Sequence, residues 1–122
     1  MTLPLRLLNI KREARKTLLR AARLLRTPGR WGKGAYSNGP DNNRCYCVTG
    51  GLAFVSGCDV STVEGKYTAE SDKDNAAYTA FKALREAVAG EMYGWSIPSW
   101  NDAQPSSKPV AAALRRAARN LR

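Results

Sequence analysis

Apolar residues recur at spacings of three and four over residues 3–27, where Leu7, Ile10, Ala14, Leu18, Ala21 and Leu25 fall on one helical face. Pro4 suits the start of this helix and Pro28-Gly29 its end. The same spacing returns over 71–89, with Ala77, Tyr78, Phe81, Leu84 and Val88 inward. Ser71 and Asp74 form an S-x-x-D approximation to a capping box, and Gly90 is a stop signal. A last helix is read over 108–121, with Ser106 or Ser107 as its cap and Pro109 in its first turn. Its inward face is Val110, Ala113, Leu114, Ala117 and Leu121.

Between these helices the pattern is weaker. Residues 28–44 read as loop, rich in Gly, Asn and Asp, with Trp31 and Tyr36 tucking it onto the body. The most apolar segment, 45–58 (CYCVTGGLAFVSGC), reads as either buried strand or buried helix. Residues 59–70 read as loop with one short strand turn, and 91–106 as irregular. The expected fold is mainly α: a single small domain, 1–122, of three to four helices with a long basic N-terminal helix. Residues 1–14 are read as a projecting helical extension and 15–122 as the compact body. The expected core holds Trp31, Phe54, Tyr78, Phe81, Leu84, Trp100, Val110 and Leu114, with Trp95 as a further anchor.

Charge changes this picture. The chain carries a formal +10, unevenly spread. Residues 1–30 hold nine basic groups and one acid, 103–122 hold five basic groups and no acid, and 31–102 hold six basic and nine acidic groups. Basic ends on a slightly acidic middle point to an acidic partner. The candidate binding residues are Lys11, Arg12, Arg15, Lys16, Arg23 and Arg26 on the first helix and Arg115, Arg116 and Arg119 on the last. Several cations on one helix neutralise several phosphates, and such contact follows the backbone rather than the base sequence.

The candidate catalytic chemistry is thin. There is no histidine, so no Ser-His-Asp or Cys-His pair forms within the chain. The glycines match neither dinucleotide nor phosphate-loop patterns. Cys45, Cys47 and Cys58 lack the spacing and the fourth ligand of a structural zinc site, and an odd cysteine count suits a reducing compartment. No metal, cofactor or small-molecule substrate is expected. There is no apolar run long enough to span a membrane, nor the continuous stretch of a secretory signal, so a cytoplasmic location is expected.

The order of short motifs resembles a family of small domains of unknown function from actinobacteria and their phages. The matching stretches are LLRAARLL (18–25), Trp31-Gly32-Lys33-Gly34, Cys47-Val48-Thr49-Gly50-Gly51-Leu52, Ser99-Trp100-Asn101-Asp102 and VAAALRRAARNL (110–121). Gly51 stands where that family usually has Ala. The resemblance implies a helical domain, a helical 45–58 segment and a phage or actinobacterial source (host cytoplasm in the phage case); it implies no activity. It marks Trp31, Gly34, Cys47, Gly50, Trp100, Asn101 and Asp102 as structural motif residues. Within the W-N-D turn, Asp102 is expected to accept backbone N–H bonds and Trp100 to plug the last helix to the core.

The functional expectation is therefore a non-enzymatic accessory or regulatory protein. It would engage nucleic acid, or a nucleic-acid-associated host assembly, through its basic helical termini. The alternative is a protein–protein module or host-factor inhibitor that uses the amphipathic N-terminal helix on an acidic host protein. An anionic membrane surface ranks lower as a target of that helix, and an enzyme using Asp102 with Cys47 or Tyr36 ranks last.

Overall fold

A computed structural model describes residues 4–92, 94 and 96–122. The elements in chain order are α1 (Leu5–Arg26), β1 (Ser37–Asn38), a 3-10 turn (Asp41–Asn43) and β2 (Cys45–Tyr46). Then follow α2 (Val48–Ser56), α3 (Val60–Val63), α4 (Asp72–Ala87), α5 (Ala89–Met92), α6 (Ile97–Asp102) and α7 (Ser107–Asn120). The fold is mainly helical, as the periodicity predicts, with one antiparallel pair in which Ser37 faces Tyr46 and Asn38 faces Cys45.

The three long helices begin close to the residues the sequence marks, but α4 ends at Ala87 and the expected stop, Gly90, lies inside α5. The Ser71 hydroxyl accepts the Asp74 N–H at 3.1 Å and starts α4. Ser106, rather than Ser107, caps α7 by accepting the Lys108 N–H at 3.3 Å. Pro4 precedes the first residue of α1, and Gly29 at φ +79° turns the chain away after it. Helix α1 buries Ile10, Ala14, Thr17, Leu18, Ala21, Ala22 and Leu25. It packs along α7 and against α4 and α2. The buried side of α7 is Val110, Ala111, Ala113, Leu114, Ala117 and Ala118, in which the four alanines let neighbouring helices approach closely. Each fully buried leucine here, such as Leu18, Leu25 or Leu114, contributes on the order of 1.5–3 kcal/mol of transfer free energy.

Segment 45–58 is two structures in one. Its first residues are strand, and helix α2 begins only after Cys47. Two glycines weaken an isolated helix, but the packing requires the first of them. A Cβ at Gly50 would collide with the Tyr36 carbonyl, and one at Gly51 would lie 3.2 Å from Leu25 of α1. Gly57, at φ +71°, ends α2.

Several expectations need correction. Phe54 is not core: it is 59% exposed. Trp31, Tyr78 and Leu121 are only half-buried, and Leu7 is exposed. The loop 28–44 contains β1 and the 3-10 turn. Residues 59–70 carry the short helix α3 instead of a strand turn, with the Asp59 carboxylate accepting the Thr62 N–H at 2.7 Å as its cap. Residues 91–106 are not irregular throughout, since Trp100, Asn101 and Asp102 lie in α6. These helices have four to six residues, too few turns for a periodic signal. The predicted anchor Trp95 and the first three residues of the predicted extension lie outside the described residues. Residues 4–9 are all exposed, yet Arg6 of this stretch reaches Asp72 of α4 at 2.8 Å.

Candidate functional site

The basic residues separate into those with a partner inside the molecule and those without. Burying one face of α1 leaves Arg12, Lys16, Arg20, Arg23 and Arg26 exposed on the opposite side. Lys11 and Arg15 sit half-buried at its edge. Because α1 and α7 lie together, their cations meet. Arg23 and Arg26 of α1 and Arg115 of α7 line one open groove with Leu19 and Thr27. Arg119 is exposed one turn further along α7.

Not every predicted cation joins this face. Arg116 points to the other side of α7, where its Nη2 donates to the Ala87 carbonyl and to Glu91, at 3.3 and 3.2 Å. Lys16 pairs with Glu13 at 3.3 Å. Among the described residues, no carboxylate lies within ion-pair distance of Arg12, Arg23, Arg26, Arg115 or Arg119. The sequence reading left out Arg20, which shares a separate cleft with Glu13, Asp72 and Lys73. The helical period could have placed it on the outer face.

The motif residues form a second, wholly different arrangement. Asn101 is fully buried. Its Oδ1 accepts from the Trp31 indole N–H at 2.8 Å and from the Val48 N–H at 3.0 Å. Its Nδ2 donates to the Gly32 carbonyl at 3.0 Å and to the Asp102 carboxylate at 3.1 Å. Asp102 in turn accepts the Gly34 N–H, 3.1 and 3.2 Å from its two oxygens. One side chain thus ties the loop after α1, the start of α2 and the end of α6 together. Trp100, 1% exposed, lies in the main core cluster with Val110 and Leu114 of α7.

Cys47 closes this arrangement. Its Sγ accepts the Gly50 N–H at 3.5 Å as the cap of α2. Burial pushes its thiol above the ordinary range, outweighing the Gly50 and Thr49 N–H groups that pull it down; the charges of Asp102 and Glu64 push the same way as burial. The thiol therefore stays protonated at neutral pH. Cys47, Tyr36 and Asp102 do line one cleft with Gly34, Ala35 and Pro98. A neutral thiol beside a carboxylate already holding two donors suits scaffolding better than nucleophilic attack. Cys45 and Cys58 are free thiols on β2 and after α2. Burial, first of all, raises that of Cys58. Among the described residues, no group of three or more Cys, Asp or Glu side chains gathers as a metal site. No described helix is long and apolar enough to cross a membrane.

No curated protein and no solved structure matches this chain. A family profile does, spanning residues 10–120 from the middle of the first turns of α1 to the last residue of α7. The chain belongs to the family of unknown function DUF6197.

Proposed function

We propose that this protein binds the phosphate backbone of a nucleic acid with the face shared by α1 and α7. The observation that carries the reading is the groove lined by Arg23, Arg26 and Arg115, three guanidinium groups with no carboxylate partner among the described residues. Guanidinium forks match phosphate oxygens, and a helix surface offers cations about 5–6 Å apart along its axis at spacings of three and four. Arg12 extends the row along α1 and Arg119 along α7. Contact of this kind is sequence-tolerant, so the role is that of an accessory protein acting where nucleic acid is abundant, in a bacterial cytoplasm. It requires no catalysis, in keeping with a protonated Cys47 and a chain without histidine.

Binding of a labelled 20-nucleotide probe, followed by fluorescence anisotropy as salt is raised, tests the reading. Each neutralised duplex phosphate contributes about −0.9 to the slope of log K against log salt. Replacing Arg23, Arg26 and Arg115 by Glu should remove roughly 2–3 of that slope. Absence of binding by the wild-type chain at low salt overturns the proposal.

A second reading has its own observation. Leu5, Leu7 and Leu8 are 71%, 46% and 40% exposed at the start of α1. Their exposure favours an apolar groove on an acidic protein as the target of that end of the helix. Replacing Leu5 and Leu8 by Ser would abolish such docking and leave nucleic-acid affinity unchanged.

A further inference from the structure

Phe54 is the most conspicuous departure from the expected core. Helix α2 buries Val48 to Ala53 without a break, yet the next residue, a phenylalanine, is 59% exposed. One face of its ring rests against Tyr46, with centroids 5.0 Å apart and planes inclined by 32°. Tyr46 itself is 7% exposed, so the pair is a supported platform with Phe54 outermost.

The platform stands over a groove of about 580 Å³. Gly50 lies one helical turn below Phe54 and, lacking a Cβ, lets the Tyr36 backbone press onto α2. Tyr36, 40% exposed, also lines the groove, with its hydroxyl donating to Glu64 at 3.5 Å. Arg44 lines the same groove, held by Ser37 Oγ at 3.0 Å and by Asp41 at 3.1 Å. Asp41 is fully exposed in that pair, so the pairing is weak and open to exchange with a phosphate. The capping carboxylate of Asp59, held low by the Thr62 N–H, lines the groove and offers an acceptor for the amino edge of a base.

The strand beneath this site is tied to the chain that leaves α1. The Tyr46 N–H donates to the Arg30 carbonyl at 2.8 Å, and the Arg30 guanidinium donates to the Arg44 and Asn42 carbonyls at 3.2 and 3.3 Å. The chain leaving α1 is thus sewn to the strand that carries Tyr46 and supports Arg44.

We infer that the Phe54 groove takes an unpaired base, so that the nucleic acid engaged by the α1–α7 face is single-stranded. The inference rests on the proposed binding face and adds its substrate class. Duplex bases are stacked inside the helix and do not reach a ring on a protein surface. Unpaired bases do, and they stack on aromatic side chains whatever their sequence. A polyanion such as heparin has no aromatic base to offer.

The test compares a single-stranded 20-mer, the corresponding duplex and heparin against four proteins: wild type, Phe54→Leu, Phe54→Tyr, and Arg23→Glu with Arg26→Glu. Melting temperatures within a few degrees of wild type are expected for the Phe54 variants, because the ring is largely exposed. Wild type should prefer the single strand. Phe54→Leu should weaken single-strand binding about tenfold and spare duplex and heparin; Phe54→Tyr should restore it. Equal single-strand affinity in Phe54→Leu and wild type overturns the stacking site while leaving the basic face intact. Loss of single-strand binding in Phe54→Leu with no effect of the arginine reversals keeps the stacking site and refutes the basic face. No binding of any probe by wild type refutes both.

Discussion

The Asn101 hub and the α1–α7 basic face handle polar groups in opposite ways. Around Asn101, donors and acceptors meet inside the molecule: Trp31, Val48, Gly32 and Asp102 each find it within 3.1 Å. Along α1 and α7, Arg23, Arg26 and Arg115 have no carboxylate partner among the described residues. A buried polar atom without a partner costs far more than an exposed one, so each bond lost from the first region carries a penalty. The second tolerates incompleteness because water solvates each guanidinium. The contrast teaches where to look for each role: the hub is architecture, and the unpaired face is the one proposed to meet an outside partner.

The sharpest way to break the comparison is at Asn101. Asn101→Ala leaves the Trp31 indole N–H, the Val48 N–H and the Gly32 carbonyl without their partner. Chemical denaturation should register a loss of about 3–5 kcal/mol. A loss under about 1 kcal/mol would mean that water replaces the amide and that the hub is not structural.

Reversing Arg23, Arg26 and Arg115 to Glu is the mirror experiment. Nucleic-acid affinity at low salt should fall at least about 100-fold, with stability within about 1 kcal/mol of wild type. A comparable fall in stability would show that these arginines hold the helices together.

Two neighbours on α7 sharpen the point within one helix. Arg115→Ala should weaken binding roughly fivefold and leave stability alone. Arg116→Ala should cost about 0.5–1 kcal/mol, through the Ala87 and Glu91 contacts, and leave binding alone. Identical behaviour of the two variants would erase the distinction between paired and unpaired cations.

The smallest effect concerns pH. Burial raises the Cys47 thiol in the folded protein, so the fold favours the protonated form. Below the ordinary value of 9.0 both states keep the proton and the contribution is complete. Above it the unfolded chain ionises first, and stability declines with rising pH. Cys47→Ser keeps a capping side chain but does not titrate. Its thermal stability should fall less steeply than that of wild type between about pH 8.5 and 10.5. The remaining decline falls to Tyr36 and Cys58, which burial also raises. Equal slopes would remove Cys47 from the account.

Much of this molecule is legible in its sequence. The period of three and four fixes α1, α4 and α7, and Ser71 and the serine pair before Pro109 mark two of their starts. The concentration of Arg and Lys on the first and last helices is equally plain. Other features were not legible, for identifiable reasons. Segment 45–58 is apolar on every side, so no period separates helix from strand, and Gly50 and Gly51 lower its helical propensity. What makes part of it helical is the contact with Leu25 and Tyr36.

Local pattern says which side of a helix is apolar, because that depends on neighbours three and four residues away. It does not say which other helix covers that side. Consecutive residues on a helix point about 100° apart, so only the packing of α7 against both α1 and α4 sends Arg115 to the basic groove and Arg116 to Glu91. The outward turn of Phe54, and the meeting of Trp31, Val48 and Asn101 across 53 and 70 residues of chain, were likewise decided by packing. Such contacts follow from shape and burial summed over the whole fold, which no short window of sequence contains.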